Sequence, residues 1–324
     1  MKMTTLKTSQ IFPFIGISAV TLLTLGAIAP LNTSVNHLLS SYAVELMLVF
    51  LLAGLIGFIV RNNTMILTNF LACIVLCSFL KSSHNQAFTY SLPTDDVAIK
   101  VAHLVLEDEE SIETFGKKIA RLDADFLSIQ TPIEPTLEKE ITKRLSDRLP
   151  YWKKTICDND LTMFVFSAYE LRNLDTLYNT VNNTVSLVGT MFIDSMHQEI
   201  SFLSTRIPVN GYSHEKAQKQ LASLSTYIKK NCQDKPLLTL SGSMLNSWSP
   251  EVQAFKSAHR LSDSRMDIGF SKDEHIFYSK DLMCTNFNEI FEGNGVMATY
   301  QFKRGDTRTA QQFSEATIAP TSTL

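Results

Sequence analysis

The stretch LLTLSGSMLNSWSPEVQAF, residues 237–255, places a strand pattern, a glycine turn and a helix start next to one another. The apolar run LLTLS predicts a buried strand, and Ser249-Pro250 predicts the first turn of a helix. Functional residues of many α/β proteins occupy such a turn. Metal-assisted phosphoester chemistry would need an acid and an amide there, but the turn has no acid and reads Gly242, Ser243, Met244, Leu245 and Asn246.

The apolar residues are concentrated at the front of the chain, in residues 11–31, 41–60 and 64–80. Each run is close to the ~20 residues that cross a hydrocarbon core of ~30 Å. Residues 1–81 are therefore predicted to hold three transmembrane helices. A cleavable signal peptide is the alternative for the first run, because Lys2 and Lys7 precede it and Ala27-Ile28-Ala29 resembles a cleavage site.

Basic residues orient the predicted helices. Lys2, Lys7 and Arg61 fall on one side, whereas residues 32–40 contain no Lys or Arg, so the N-terminus and Arg61 are expected in the cytoplasm. Everything after Lys81 then lies outside, in the periplasm of a Gram-negative cell. Glu45 is about one turn from the start of its run and fits an interfacial carboxylate.

Charge and cysteine content limit the function of the outer region. Residues 91–324 carry 31 acidic and 25 basic residues, which disfavours a nucleic-acid partner because phosphates call for a basic face. Its cysteines show no CxxC spacing and allow at most one disulfide pair, which the sequence leaves unassigned: Cys157, Cys232 and Cys284.

The outer region alternates between strand and helix patterns. A linker is predicted at 82–96, a folded domain at 97–303 and a flexible tail at 304–324. Within the domain, strand patterns occupy 97–106, 125–130, 151–157, 161–166, 186–193, 199–205, 237–241, 274–279 and 296–302, and helix patterns occupy 109–122, 134–149, 213–230 and 250–258. Helices interspersed among runs of strands predict an α/β (α+β) fold, a four-layer α-β-β-α sandwich that follows an all-α transmembrane region.

Five stretches of the domain resemble the endonuclease/exonuclease/phosphatase family, which has the deoxyribonuclease-I-like fold. They are KVAHLVL (100–106), DADFLSIQ (123–130), ISFLSTRIPV (200–209), the opening stretch, and EHIFYSKDL (274–282) followed by GVMATYQF. The resemblance is to bacterial membrane-anchored members with three N-terminal helices. It implies an inner-membrane, multi-pass protein with a cytoplasmic N-terminus and a periplasmic or extracellular C-terminal domain.

The resemblance also implies where the chemistry should lie, and those positions are altered. The family's metal-binding Asn and Glu fall on Val105 and Thr131, its Thr-His on Thr205-Arg206, its Gly-Asp-x-Asn on 242–245 with Ser243 and Leu245, and its terminal Asp-His on Glu292-Gly293. Valine and leucine cannot ligate Mg²⁺, and a threonine hydroxyl is a poor substitute for a carboxylate. No metal or other cofactor is therefore expected, and Glu274 and Glu292 are the residual acids.

Two functions follow as expectations. The first is a catalytically degenerate protein that acts as a binding, structural or accessory subunit of a membrane complex, with the lipid bilayer and other membrane proteins as partners. The alternative is a Mg²⁺-dependent phosphoesterase acting on an extracytoplasmic lipid or phospho-substrate through Glu274, Glu292 and Arg206. Asp273-Glu274-His275 is expected to be a solvated edge, because strand neighbours point to opposite faces. Ser243 lacks the second glycine of G-x-S-x-G, which disfavours a serine hydrolase.

Overall fold

The computed structural model describes residues 8–29, 39–40, 42–84, 89–106, 112–132, 135–157, 161–179, 184–207, 214–232, 235–243, 247–266, 274–291 and 294–303. The predicted tail at 304–324 lies outside these residues.

In the described residues up to 84, the helices with both ends defined are α1 (Thr8–Ile28), α2 (Ala43–Val60) and α3 (Asn63–His84). In the described part of the chain, two helices are long and apolar enough to cross a membrane, Ala43–Val60 and Asn63–Ser83, rather than the three that the sequence predicts. The apolar part of α1, Ile15–Ile28, falls in the shorter class of 10–17 residues. The predicted run of 11–31 extends past this part on both sides, into side chains 11–14 and residues 30–31, which lie outside what the structure describes.

Helices α2 and α3 form a close hairpin. A Cβ on Gly57 would lie 2.9 Å from Ile66 Cγ1, and one on Gly54 would lie 3.0 Å from the Phe70 ring. Arg61 ends α2 in the left-handed conformation with φ 56°, and Asn62 Oδ1 accepts a 3.1 Å hydrogen bond from Met65 N at the start of α3. The small residues thus let the two backbones approach as membrane helices commonly do.

The described part of the outer domain has these strands: β1 (Ile99–Val105), β2 (Phe126–Pro132), β3 (Tyr151–Cys157), β4 (Leu161–Ser167), β5 (Glu170–Asn179), β6 (Thr184–Ile193), β7 (Gln198–Ile207), β8 (Leu237–Ser243), β9 (Leu261–Asp263), β10 (Glu274–Ser279), β11 (Leu282–Ile290) and β12 (Gly295–Phe302). They form two six-stranded mixed sheets. Sheet A has the order β11-β12-β1-β2-β4-β3, and sheet B has the order β5-β6-β7-β8-β10-β9. A short 3-10 helix, Asp194–Met196, joins β6 to β7.

Helices cover the outer face of each sheet. Helices α4 (Ile112–Ala120) and α5 (Pro135–Leu145) pack on sheet A, where Phe115, Ile119 and Ile141 are buried. Helices α6 (His214–Asn231) and α7 (Pro250–His259) pack on sheet B. Between the sheets the Phe126 and Phe202 rings lie 4.9 Å apart. The predicted α-β-β-α sandwich is therefore confirmed.

Three strands were missed by the sequence patterns. Strand β5 has a register shift between Arg172 and Asp175, with Asn173 at φ 51°, and this bulge breaks the alternation that marks a strand. Strand β11 is rich in polar residues, and β9 has only three. The pattern expected for an isolated strand is absent from all three.

The segment before β1 is held against the domain. The buried Gln301 side chain accepts a 2.9 Å hydrogen bond from Thr94 N and donates bonds of 3.0 Å to Thr94 O and 2.9 Å to Asp96 O. Helix α3 extends to His84, beyond the predicted start of the linker at 82. Cys232 and Cys284 are buried and free, so they do not form a pair with each other.

The membrane-type helices contact the sandwich at α7. Trp248, 6% exposed, packs with Ala43, Val44 and Leu80, and its indole Nε1 donates a 2.8 Å hydrogen bond to Ser40 O. Within α7, which follows Trp248, Gln253 Nε2 donates a hydrogen bond to Ser83 O. The same carbonyl also accepts a 2.8 Å bond from Lys256 Nζ. These donors satisfy a carbonyl at the C-terminal end of α3.

Candidate functional site

Both sheets bring strand ends together at one end of the sandwich, which we call the rim and define by Val105, Gln130, Arg206, Gly242 and Glu274. Val105 pairs with Gln130 in sheet A. In sheet B, Gly242 pairs with Arg206 on one side and with Glu274 on the other. The structure thus brings together several positions that the sequence analysis singled out, among them Val105, Arg206 and Glu274. Leu245, Glu292 and Gly293 lie outside the described residues, and Ser243 is described only in its backbone.

The two sheets touch directly at the rim. A Cβ on Gly242 would lie 2.6 Å from Gln130 Oε1 and 2.7 Å from Val105 Cγ2, distances that real Cβ atoms do not show. Gln130 Nε2 also donates a 2.9 Å hydrogen bond to Thr205 O across the sandwich. Val105 is 7% exposed, so its isopropyl group fills the position where the resemblance expects a metal-binding amide.

Thr131 is not directed at the rim. It is buried and pairs with Thr162 of β4. Gln130 points toward sheet B, and strand alternation therefore turns Thr131 to the opposite face of sheet A. The Thr131 hydroxyl is therefore a poor Mg²⁺ ligand for two reasons: it is a neutral group, and it faces away from the rim.

A buried polar layer lies beneath the rim. His103 Nδ1 is 3.1 Å from Ser128 Oγ, which is 2.7 Å from Ser204 Oγ of the other sheet. Complete burial lowers the pKa of His103 to about 3, with further contributions from the fields of His275 and Arg206. The imidazole is therefore neutral at physiological pH and serves as a hydrogen-bonding group.

A second buried network involves Ser247, Asp263 and His275. His275 Nδ1 lies 3.1 Å from Asp263 Oδ2 and 3.3 Å from Ser247 Oγ, and the Ser247 hydroxyl donates to the same carboxylate oxygen. Both Ser247 and Asp263 approach Nδ1, so the serine is not on the opposite ring nitrogen as a catalytic relay requires. Asp263 Oδ1 accepts a 3.1 Å bond from Arg265 N.

This network corrects the prediction of a solvated edge at His275, whereas Glu274 is half-buried and Asp273 lies outside the described residues. His275 is 4% exposed and Asp263 is fully buried. The sequence prediction failed because His275 faces the layer of α6 and α7, where a distant residue, Asp263 on β9, supplies its partner. No local spacing pattern joins these residues.

A buried arginine holds the start of β10. The Arg265 side chain is 3% exposed; its Nη1 lies 3.3 Å from Glu289 Oε1, and its Nη2 donates a 3.3 Å bond to Glu274 O. The guanidinium also lies 5.5 Å from the centroid of the Phe287 ring. Arg265 thereby fixes the backbone that carries Glu274.

Two further observations concern possible binding sites for a metal ion or a ligand. Among the described residues, no three His, Cys, Asp or Glu side chains are grouped so that they could hold a metal ion. A groove of about 530 Å³ lies between α6 and α7, lined by Leu221, Ser225, Pro250 and Phe255 among others, and it is not at the rim.

The two facing mixed sheets with outer helix pairs define the deoxyribonuclease-I-like fold of endonuclease/exonuclease/phosphatase proteins. The catalytic domain of human Nocturnin, solved with bound sulfate, matches with a TM-score of 0.55 at 13% identity over 64% of this chain and 96% of that one. A family protein from Bacteroides vulgatus matches with a TM-score of 0.53 at 10% identity, over 64% of this chain and 100% of that chain.

A third solved structure is ANGEL2, a 2',3'-cyclic phosphatase in complex with adenosine-2',3'-vanadate. Its TM-score is 0.51 at 12% identity, over 64% of this chain and 96% of that chain. At these identities the likeness shows the fold alone. No protein-family model matches the sequence, and no curated protein matches it.

Proposed function

We propose that this protein is a membrane-anchored, extracytoplasmic member of the fold that binds a partner and does not hydrolyse phosphoesters, as an accessory subunit of a membrane complex. The observation that carries the proposal is the packing of the rim, which we call closed because, among the described residues, Val105 and Gln130 contact Gly242. Val105 is buried in the position where the resemblance expects a metal-binding amide.

The chemistry of the rim residues supports a binding role. Val105 offers no ligand atom, and Gln130 uses its amide nitrogen to join the two sheets. The oxygen atoms that bind a hard dication must be held closely in place, so replacement of carboxylates by neutral or apolar groups removes the basis for tight Mg²⁺ binding.

Anchoring by α2 and α3 supports the proposed location. The turn between them carries Arg61, and the positive-inside rule places this turn in the cytoplasm. Both outer ends of the hairpin, and the domain after α3, are then extracytoplasmic whether or not α1 is a third span. The membrane that we propose is the bacterial inner membrane.

One observation favours the alternative, a divalent-metal-dependent phosphoesterase. Arg206 and Glu274 flank Gly242 in neighbouring strands, so a cation for phosphate charge and a carboxylate for a metal or water both lie at the rim. Glu292 would have to join them.

A turnover assay separates the two functions. The full-length protein, purified in mild detergent, is incubated with bis(p-nitrophenyl) phosphate and Mg²⁺ or Mn²⁺, beside Glu274→Ala and a surface control, Asp281→Ala. Binding without hydrolysis predicts no turnover above the rate without protein in any of the three. Metal-dependent turnover that Glu274→Ala abolishes and Asp281→Ala retains would establish the alternative.

A further inference from the structure

A small cavity lies between sheet B and the two helices that cover it, α6 and α7. Thr239 of β8, His275 of β10, Leu221 of α6 and Phe255 of α7 are among the residues that line it. The space that the centre of a water molecule can reach inside it is about 10 Å³. A cavity of this size has room for about one water molecule.

Two of the lining side chains have a buried polar atom that makes no hydrogen bond with the described residues. These atoms are His275 Nε2 and Thr239 Oγ1. His275 is 4% exposed and Thr239 is 1% exposed, so bulk solvent does not reach either side chain. Most buried polar groups in native proteins have a hydrogen-bond partner, because leaving one without a partner is destabilising. Both atoms therefore call for a polar ligand in the cavity.

Strand pairing places these two side chains on the same face of sheet B. In the antiparallel pair of β8 and β10, Thr239 is opposite Phe277 and His275 is opposite Ser241. Residues two apart on a strand share a face, so Thr239 and His275 are diagonal neighbours on the face that α6 and α7 cover. Diagonal neighbours are about 7–8 Å apart, a separation that one water molecule can bridge between two polar side chains.

The rest of the His275 ring is held in place by other contacts. Its Nδ1 lies 3.1 Å from Asp263 Oδ2, and the ring stacks on Phe277 with the centroids 5.3 Å apart and the planes 7° from parallel. These contacts fix the direction of Nε2. Leu221 and Phe255 line both the cavity and the groove between α6 and α7, so their side chains form the partition between the two.

We propose that one water molecule is bound in this cavity and bridges His275 Nε2 and the Thr239 hydroxyl. Water both donates and accepts hydrogen bonds, so it satisfies the two atoms whichever of them is the donor. The bound water extends the network of Ser247, Asp263 and His275 into sheet B. Ser247 precedes Trp248, which contacts the outer ends of α2 and α3, so the network links the core of sheet B to this contact. The site does not depend on whether the protein hydrolyses phosphoesters.

A crystal structure of the full chain, at a resolution that shows ordered water, tests the bridge directly. One water peak is expected within about 3.2 Å of both His275 Nε2 and Thr239 Oγ1. No peak at this position, or a direct hydrogen bond between the two side chains, overturns the inference. Thr239→Ser is the matched control variant because it keeps the hydroxyl, and its structure should keep the peak. Loss of the peak from Thr239→Ser would contradict the role of the hydroxyl.

Thr239→Val tests the same bridge in solution, because valine keeps the shape of threonine and lacks its hydroxyl. A hydroxyl that bonds a water molecule is lost together with that hydrogen bond, so the folding equilibrium constant from denaturant titrations should fall at least about threefold. A hydroxyl that is buried without a partner is destabilising, so its removal should leave the constant unchanged or raise it. A smaller fall, no change or a rise therefore overturns the inference. If Thr239→Val does not fold, the crystal structures of the wild type and of Thr239→Ser decide.

Discussion

Gly242→Ala tests the closed rim through stability. The added methyl carbon would lie 2.6 Å from Gln130 Oε1 and 2.7 Å from Val105 Cγ2, and both of these side chains are buried. Overpacking of a filled interior costs about 1–3 kcal/mol. For a domain of this size about 2–4 °C is lost per kcal/mol, so the midpoint of thermal unfolding should fall by about 2–12 °C.

The assay is thermal unfolding of the full chain in mild detergent, followed by tryptophan fluorescence. Gly116→Ala is the matched control, because the nearest neighbours of its Cβ would be the flexible side chains of Arg144 and Glu140, and alanine favours the helix. Its midpoint should be unchanged or slightly raised. In a double-mutant cycle, Val105→Ala should be less destabilising in the Gly242→Ala background than alone, because it removes one clashing group. An unchanged midpoint for Gly242→Ala would show that the rim has room, and would refute the reasoning.

Three further changes test other parts of the structure. Asp263→Ala should lower the free energy of unfolding by about 1–3 kcal/mol in denaturant titrations, because it leaves the buried His275 Nδ1, Ser247 hydroxyl and Arg265 N without their shared acceptor; a loss below about 0.5 kcal/mol would contradict the network. Because the folded pKa of His103, about 3, lies below its unfolded value, the unfolded state binds the extra proton, and stability should fall by up to about 1.4 kcal/mol per pH unit as pH drops from about 6.5 toward 3. His103→Gln should reduce that slope by one proton, and an equal slope would contradict the assignment. Gly57→Leu should open the α2–α3 hairpin and increase proteolysis at its turn, whereas Gly16→Leu, whose Cβ meets nothing within 4 Å, should not; equal proteolysis would refute the close crossing.

Sequence patterns predicted much of the fold because local periodicity and burial agree in most elements. The strand pattern at 274–279 and the helix pattern at 250–258 match β10 and α7 closely. The exceptions are informative. Strand β5 contains a bulge, and β9 is three residues long and is stabilised by its pairing with β10, so their formation depends on neighbours distant in sequence.

The candidate site was singled out through the family resemblance, which gave Val105, Arg206 and Glu274 as altered or residual positions. The structure brings these three to one end of the sandwich, because each lies at or next to a strand end. The burial of His275 against Asp263 could not be predicted, since the pair joins two strands through tertiary packing alone. Trp248 likewise gives no local sign that it contacts the outer ends of α2 and α3.

Binding of Mn²⁺ by the full-length protein, measured by electron paramagnetic resonance, tests the central claim most directly because it does not depend on the choice of substrate. A rim closed by Val105 and Gln130 predicts no saturable site below about 1 mM Mn²⁺, in the wild type or in Glu274→Ala. A stoichiometric micromolar site that Glu274→Ala removes and Asp281→Ala retains would contradict the closed, non-hydrolytic rim.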